Sequence, residues 1–452
     1  MSKTVIDPQR AIPVRSEVDV VVVGGGPAGT AAAIAAARQG AKTVLVERYG
    51  HLGGMATGGL VWMIHAMSDG TENRQIKGIA KDMLDRLMEY NSANLVPEAN
   101  IGSSKEEHLA KHGKMFFHPF GNLIYGGTFD PEVLKHVLLQ MVKEAGVKLY
   151  LHSLGTRPIM EGNVVKGVYF ECVEGSQAIL AKTVIDCTGD GVIFDAAGVA
   201  STTEVTGSNR LDKQALVFEF ANIDFERKNK WAEENQETFD ELMKDLAAMD
   251  GFTLRYLGSS TMPQRPGTMH FNMFLEGYSL LSVDDLTAIE IRVRERMMTT
   301  FQFYKEKIPG FENSYILITA PQIGARGSRR IIGEYVVTEE DAKTGEMFED
   351  SIAQWPPLYG NYPDEPHLFI PLRALIPATP VEGIICAGRC FSSDEIINEH
   401  YNTISHCIAM GQAAGVTAAV AAQEGETVRT VDRKLVQKSL VAQGVPLPAL
   451  NL

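Results

Sequence analysis

The stretch Val18 to Arg48, VDVVVVGGGPAGTAAAIAAARQGAKTVLVER, decides the fold. Val18 to Val23 is a β-branched run of the kind that forms a strand buried on both faces. A glycine cluster follows. Pro27 to Gln39 then reads as an alanine-rich helix, with proline in its first turn and Gly40 as its stop. Lys42 to Glu47 reads as a second buried strand. Strand, helix and strand make one βαβ unit of about 30 residues. Gly24, Gly26 and Gly29 fit GxGxxG directly after a strand and opening a helix. Gly24 permits the tight turn, Gly26 lets bare backbone meet a pyrophosphate, and Gly29 lets the helix press on the strand. The helix start, with Pro27 and Ala28, offers unpaired N–H groups and partial positive charge to that pyrophosphate.

Glu47 ends the second strand, where a carboxylate accepts both ribose hydroxyls and repels a 2′-phosphate. Three further features favour FAD over NAD. Glu47-Arg48 leads into HLGGMATGGLV, a second glycine-rich loop containing Gly53, Gly54, Met55, Ala56 and Thr57. Such a loop suits backbone that follows a long cofactor beyond its adenosine. AKTVIDCTGDG is a strand ending at Gly189 and Asp190. GIICAGRCFSSDE is a strand ending at Gly388 and Arg389, followed by a helix with small residues at Ala409, Gly411, Ala413, Ala414 and Gly415.

The rest of the chain reads as an interruption of that fold. Asp130 caps a helix that begins at Pro131 and stops at Gly146. Strands are expected at Lys148–His152, Val164–Glu171 and Thr183–Asp186. Acidic amphipathic helices are expected near Phe225–Met249 and Val283–Lys307, with strands at Gln214–Ala221, Thr268–Leu275 and Tyr315–Ala320. The final strand and a helix over Thr403–Gln423 return to the first pattern. The expected class is α/β: a doubly wound, Rossmann-like FAD-binding domain interrupted by an α+β substrate or lid domain. Residues 1–200 form its first part, 201–365 the insert, and 366–452 the second part with the C-terminal helix.

These motifs resemble the FAD-dependent oxidoreductase family, among the glutathione-reductase-like flavoproteins. Glu47 to Thr57 fits E-R-x-x-x-L-G-G-M-A-T, Ala387 to Cys390 fits A-G-R-C, and Met410 to Gly415 fits M-G-x-A-A-G. The resemblance covers most of the chain and is weakest over about 200–325. It implies that Gly24, Gly26, Gly29 and Glu47 lie on the adenosine diphosphate half of FAD and that Gly53 to Thr57 follow the ribityl and flavin half. It also implies that Gly189, Asp190, Gly388 and Arg389 lie beside the cofactor. Asn402, Thr403 and Ile404, at the start of the last helix, would face the edge of the flavin that becomes negative on reduction. Relatives carry a Gly-Ser-x-Arg-like stretch just before this helix, where this chain has Asn398-Glu399-His400-Tyr401-Asn402.

That departure makes His400 a candidate proton acceptor, since imidazole titrates near neutrality. His65, after the glycine loop, is a second candidate. His270 is a third, on a polar strand face shared with Thr268 and Asn272. Arg326, in the cluster with Arg329 and Arg330, could hold an anionic substrate. Cys386 and Cys390 read as packed residues rather than a redox pair. His108, His112 and His118 have no completing ligand pattern, so no metal site is expected.

The expected function is hydride transfer between FAD and a small organic substrate, as a dehydrogenase or reductase. The alternative is a redox-neutral isomerase or eliminating enzyme that uses FAD transiently. NAD(P)H or another electron carrier could serve as redox partner, and a homo-oligomer is left open. A formal net charge of −14 argues against nucleic acid and anionic membrane partners. The first residues lack a signal-peptide core, no apolar run reaches the roughly 18 residues of a membrane span, and five scattered cysteines form no disulfide framework. A cytoplasmic protein is expected.

Overall fold

A computed structural model describes residues 4–5, 9–112, 121–206, 210–249, 253–257, 265–358 and 364–447, with 253–257 as backbone only. The glycine turn sits at the centre of the main sheet. β1 (Val14–Val23) runs parallel to β2 (Thr43–Val46) on one side and to the strand Gly175–Asp186 on the other. Lys148–Tyr150 extends the sheet beyond β2. Ile384–Cys386 pairs in parallel with the last residues of Gly175–Asp186. The late strand thus completes a sheet begun almost 400 residues earlier. The hairpin Leu154–Glu161 and Val164–Cys172 joins the opposite end of Gly175–Asp186 in antiparallel fashion.

β1 is flanked by a strand on each side, and its Val20 to Val22 have no exposed surface. One of its faces is covered by α1 (Pro27–Arg38) and by the C-terminal helix Ile404–Glu424. Small residues let these two helices touch through backbone. A Cβ on Gly411 would stand 2.0 Å from the Ala28 carbonyl oxygen, and one on Gly415 would stand 2.2 Å from that of Ala32. By length and composition the helix Ile404–Glu424 could cross a membrane, contrary to the expectation from apolar runs. Its most apolar window is 94% buried within the protein, so its hydropathy serves the core.

A four-stranded antiparallel sheet is the centre of a second core. Its order is Thr253–Leu257, Met269–Glu276, Lys213–Ala221, Tyr315–Thr319. The helix Val283–Lys307 packs on it through Ile289, Val293, Met297 and Tyr304. The buried apolar residues of this core run from Leu216 to Ala320, joined by Leu60 from the glycine loop. Most of those from Ile331 to Ile376 belong to the first core.

The expected helix Phe225–Met249 is two helices, Phe225–Glu234 and Gln236–Ala248. Asn235 divides them, with φ −131° and ψ 43°, and its side-chain amide donates to the Trp231 carbonyl. An asparagine that bonds nearby backbone competes with the helix ladder. Val283–Lys307 has the expected bounds, with Ser282 as its cap. The strand Leu154–Glu161, which contains Pro158, lies outside every expected element.

Candidate functional site

A groove crosses the carboxyl ends of the central strands. Three chain segments build its floor. The first is the glycine turn. Gly24 has φ +97°, and a Cβ there would lie 2.5 Å from the Cys187 carbonyl oxygen. A Cβ on Gly29 would stand 1.7 Å from the Gly24 carbonyl oxygen, so only glycine lets α1 sit this close. A Cβ on Gly26 would meet nothing within 4 Å, because it would point into open space. The groove is therefore lined here by bare backbone. The first turn of α1 has no side-chain cap and no acidic residue, so its amides remain for an anion.

The second segment is Glu47 to Met55. Glu47 is buried; its carboxylate accepts from the Gly25 amide at 2.5 Å and the Tyr49 amide at 2.8 Å. Burial pushes this carboxyl above its usual range, against the pull of the two amides. Two carboxylate oxygens offer about four acceptor positions, so capacity remains for ribose hydroxyls. Gly53 donates its amide to the Gly25 carbonyl at 2.8 Å, which ties the second glycine loop to the first.

The third segment joins the two ends of the chain. Arg389 pairs with Asp190 at 2.6 Å, and the Ser328 hydroxyl donates to the same carboxylate at 2.8 Å. Burial alone would raise the Asp190 carboxyl, but the Arg389 guanidinium and the Ser328 hydroxyl hold it below its usual range. At the far end the groove reaches Asn402 and Ile404, the start of the C-terminal helix. This helix also lacks a side-chain cap and a first-turn acid. Two helix N-termini thus meet one groove, an arrangement complementary to negative charge at two places along a ligand. Gln322, Ile323 and Ala325 approach from beside the second sheet and line the groove too.

Most of the cofactor-contact candidates meet here. Gly24, Gly26, Pro27, Ala28, Glu47, Arg48, Gly54, Met55, Gly189, Asp190, Gly388, Arg389, Asn402 and Ile404 all line the groove. Gly53, Ala56, Thr57 and Thr403 are outside its lining. The Thr57 hydroxyl donates to the Leu52 carbonyl at 2.6 Å, and that of Thr403 lies 2.7 Å from His406 Nδ1. Tyr49, Ser153, Leu154, Gly155, Cys187, Thr188, Val192 and Cys407 are further lining residues. Gly155 carried the available signal, since a Cβ there would lie 2.3 Å from Val23 Cγ1. The approach of Gln322 to Ala325 has no local sequence signature.

The proposed proton carriers lie elsewhere. His400, in the last turn of the helix Glu395–Tyr401, is exposed and outside the groove lining. His65 is outside it as well. Its carbonyl accepts from the Ser405 hydroxyl at 2.8 Å, and burial, aided by the Arg210 charge, pulls its imidazole down to about 4. On its strand face His270 is buried and meets neither water nor the groove. His270 Nδ1 accepts from the Trp62 indole at 2.6 Å and lies 3.3 Å from the buried Glu219 carboxylate. Arg265 continues this network, pairing with Glu219 at 3.1 Å and Asp130 at 3.0 Å. Arg326 stacks over Phe274 at 5.0 Å, and its carbonyl accepts from the Asn402 side chain at 2.9 Å.

All five cysteines are free. Cys386 and Cys390 are buried, and burial raises the Cys386 thiol well above its ordinary value. His108 bonds Ser103 at 2.9 Å, while His118 lies outside the described residues.

A doubly wound sheet with this groove across its strand ends defines a dinucleotide-binding protein of two cores. The profile of the family described as "FAD dependent oxidoreductase" matches residues 19–440. The chain belongs to the FAD-dependent oxidoreductase family, and it is an enzyme whose cofactor is FAD. It is similar to the digeranylgeranylglycerophospholipid reductase of Methanoculleus marisnigri, with 25% identity over 189 residues, 40% of each chain. It is also similar to the urocanate reductase of Eggerthella lenta, with 33% identity over 212 residues, 44% of this chain and 30% of the relative. These matches span less than half the length of either relative. A geranylgeranyl bacteriochlorophyll reductase-like structure from Thermoplasma acidophilum aligns with 94% of this chain and 83% of its own, at 13% identity and a TM-score of 0.46.

Proposed function

We propose that the protein transfers a hydride between FAD and a small organic molecule, as a dehydrogenase or reductase. The observation that carries this reading is the far end of the groove. There Asn402 and Ile404 open an uncapped helix beside Gln322, Ile323 and Ala325. A helix N-terminus at this point stabilises charge that a bound redox group gains on reduction. FAD supplies a ring that accepts or gives a hydride at one atom. The chain's own residues do the rest. The Gly24–Gly29 turn holds the diphosphate, and Glu47 holds the ribose. The Asp190–Arg389 pair fixes the two strand ends between which the cofactor extends. Gln322 to Ala325 orient the substrate and exclude water from the reacting face. His65, which burial holds neutral at pH 7, is tied through its carbonyl to Ser405 at the start of the last helix and lies outside the groove lining.

The E-R-x-x-x-L-G-G-M-A-T and A-G-R-C segments support a place among the glutathione-reductase-like flavoproteins. Two relatives whose names describe reductions support the reductase direction, with NAD(P)H or another carrier as electron donor. The test is an anaerobic titration of the purified flavoprotein with NADH, NADPH and a panel of unsaturated and hydroxylated acids, while the flavin absorbance is followed. Bleaching by a reduced nicotinamide, reversed by an unsaturated acid, is expected of a reductase. Bleaching by a hydroxylated or saturated metabolite alone is expected of a dehydrogenase. Turnover of a metabolite with no change in flavin redox state, even in rapid mixing, would refute hydride transfer.

A further inference from the structure

We infer that Arg210, at the entry to the second sheet, is a positioning residue that sets how readily the bound flavin is reduced, by holding a positive charge beside the far end of the groove. This rests on the reading of that end as the flavin site.

Arg210 lies just before the strand Lys213–Ala221, and its carbonyl accepts from the Lys213 amide at 3.1 Å. Its side chain crosses to the end of the helix Glu395–Tyr401. There the guanidinium donates to the Glu399 carbonyl and, at 3.4 Å, to the Asn402 side-chain oxygen. Asn402 lines the groove where the C-terminal helix begins. The nitrogen of the same amide is held from the second sheet as well, since it donates to the Arg326 carbonyl at 2.9 Å. The Arg326 amide in turn donates to Gln214 of Lys213–Ala221 at 3.1 Å. One groove residue is thus gripped at both ends of its amide by segments that flank the second sheet. The guanidinium stands one side chain away from the groove.

Its charge is felt there. Burial raises the Cys407 thiol to about 12, while the Arg389 and Arg210 charges pull it down. Cys407 lines the groove in the first turn of the C-terminal helix. Burial lowers the imidazoles of His65 and His400, and the Arg210 charge lowers both further, with Glu399 opposing it at His400. Three groups around one helix start therefore sense the same cation. Burial also lowers the guanidinium itself, against the pull of Glu399, but arginine remains charged at neutral pH. A flavin gains negative charge on reduction, and charges close to its ring tune that step. The helix N-terminus acts within about one turn, whereas a unit charge acts further. Because Arg210 leads into the second sheet, the docking of that sheet is tied to the redox poise of the flavin.

The test is the midpoint potential of FAD in the purified holoenzyme, measured by equilibrium reduction against a reference dye. Arg210→Gln should favour the oxidised form by about tenfold, a fall of about 30 mV for a two-electron couple. Arg210→Lys keeps the charge and should stay close to the parent. Glu399→Gln removes the carboxylate that acts on the guanidinium and should move the potential upward. It gives an independent reading should Arg210→Gln fail to retain FAD. Rescue by lysine and the opposite sign at Glu399 are not expected of a residue that only packs. Asn402→Asp puts a carboxylate on the groove lining itself and should lower the potential wherever Arg210 acts, provided the flavin ring lies at this end. A fall in Asn402→Asp with no change in Arg210→Gln and Glu399→Gln would overturn the role of Arg210 and leave the flavin end in place. No change in any of the three would overturn both.

Discussion

Around the groove the chain packs backbone against backbone, whereas the seam between the two cores is held by buried ions. At the groove, Gly29 meets Gly24, and Gly411 meets Ala28, at distances that no side chain tolerates. At the seam, Trp62 and Asp130 from the first core meet His270, Glu219 and Arg265 beside the second. Close backbone packing is unconditional, because one added carbon breaks it. An ion network is conditional on every member, because each charge is bearable only while its partner is present. The groove is thus a rigid template, and the seam is a join that a single neutral substitution can open.

The sharpest way to break this contrast is at the helix crossing. Gly411→Val should abolish folding, since the added carbons would overlap the Ala28 carbonyl. The check is recovery of soluble, flavin-containing protein, which should fall to background. Next is the seam. Arg265→Met leaves Glu219 and Asp130 without their cation and should cost about 3 kcal/mol or more in chemical denaturation. Flavin content at low denaturant should be preserved, which separates the seam from the groove. Third, Gly26→Val adds carbons where the groove is open. Apoprotein stability should barely change, while FAD affinity should fall by about tenfold or more, read by flavin fluorescence.

Acid titration sharpens the comparison further. The His65 imidazole is held at about 4 rather than 6.5, so the unfolded chain takes up a proton that the folded chain refuses. Its contribution to stability is complete above pH 6.5 and is lost as the pH falls from there towards 4. Denaturation at stepped pH should show a shallower acid-side decline in His65→Gln. Asp190 behaves differently. Its lowered carboxyl contributes stability above its unfolded value of about 3.8, which is lost only as the pH falls through its still lower folded value. The smallest effect is expected at His400. His400→Gln should alter stability by no more than about 0.5 kcal/mol and leave turnover essentially unchanged, as suits an exposed side chain outside the groove.

The same contrast explains what could be read from the sequence. The glycine turn, Glu47 and the Thr-Gly-Asp-Gly and Ala-Gly-Arg strand ends are local constraints, and each leaves a mark in a few consecutive residues. Their meeting in one groove follows once a late strand is allowed to join an early sheet. His270 shows where local reading ends. Alternation placed it on a polar face, yet His270 is covered by Glu219 on the adjacent strand and by Trp62, 208 residues away. Polarity alone does not distinguish a wet face from one completed by distant charges. The break at Asn235 is a milder case, in which one side chain that bonds backbone outweighs a continuous amphipathic pattern.

The most direct measurement is the flavin content of the purified full-length protein after exhaustive gel filtration, with added FAD tested on any apoprotein. The groove formed by Gly24 to Gly29, Glu47 and the Asp190–Arg389 pair requires one FAD per chain. A colourless protein that takes up no added FAD would contradict it.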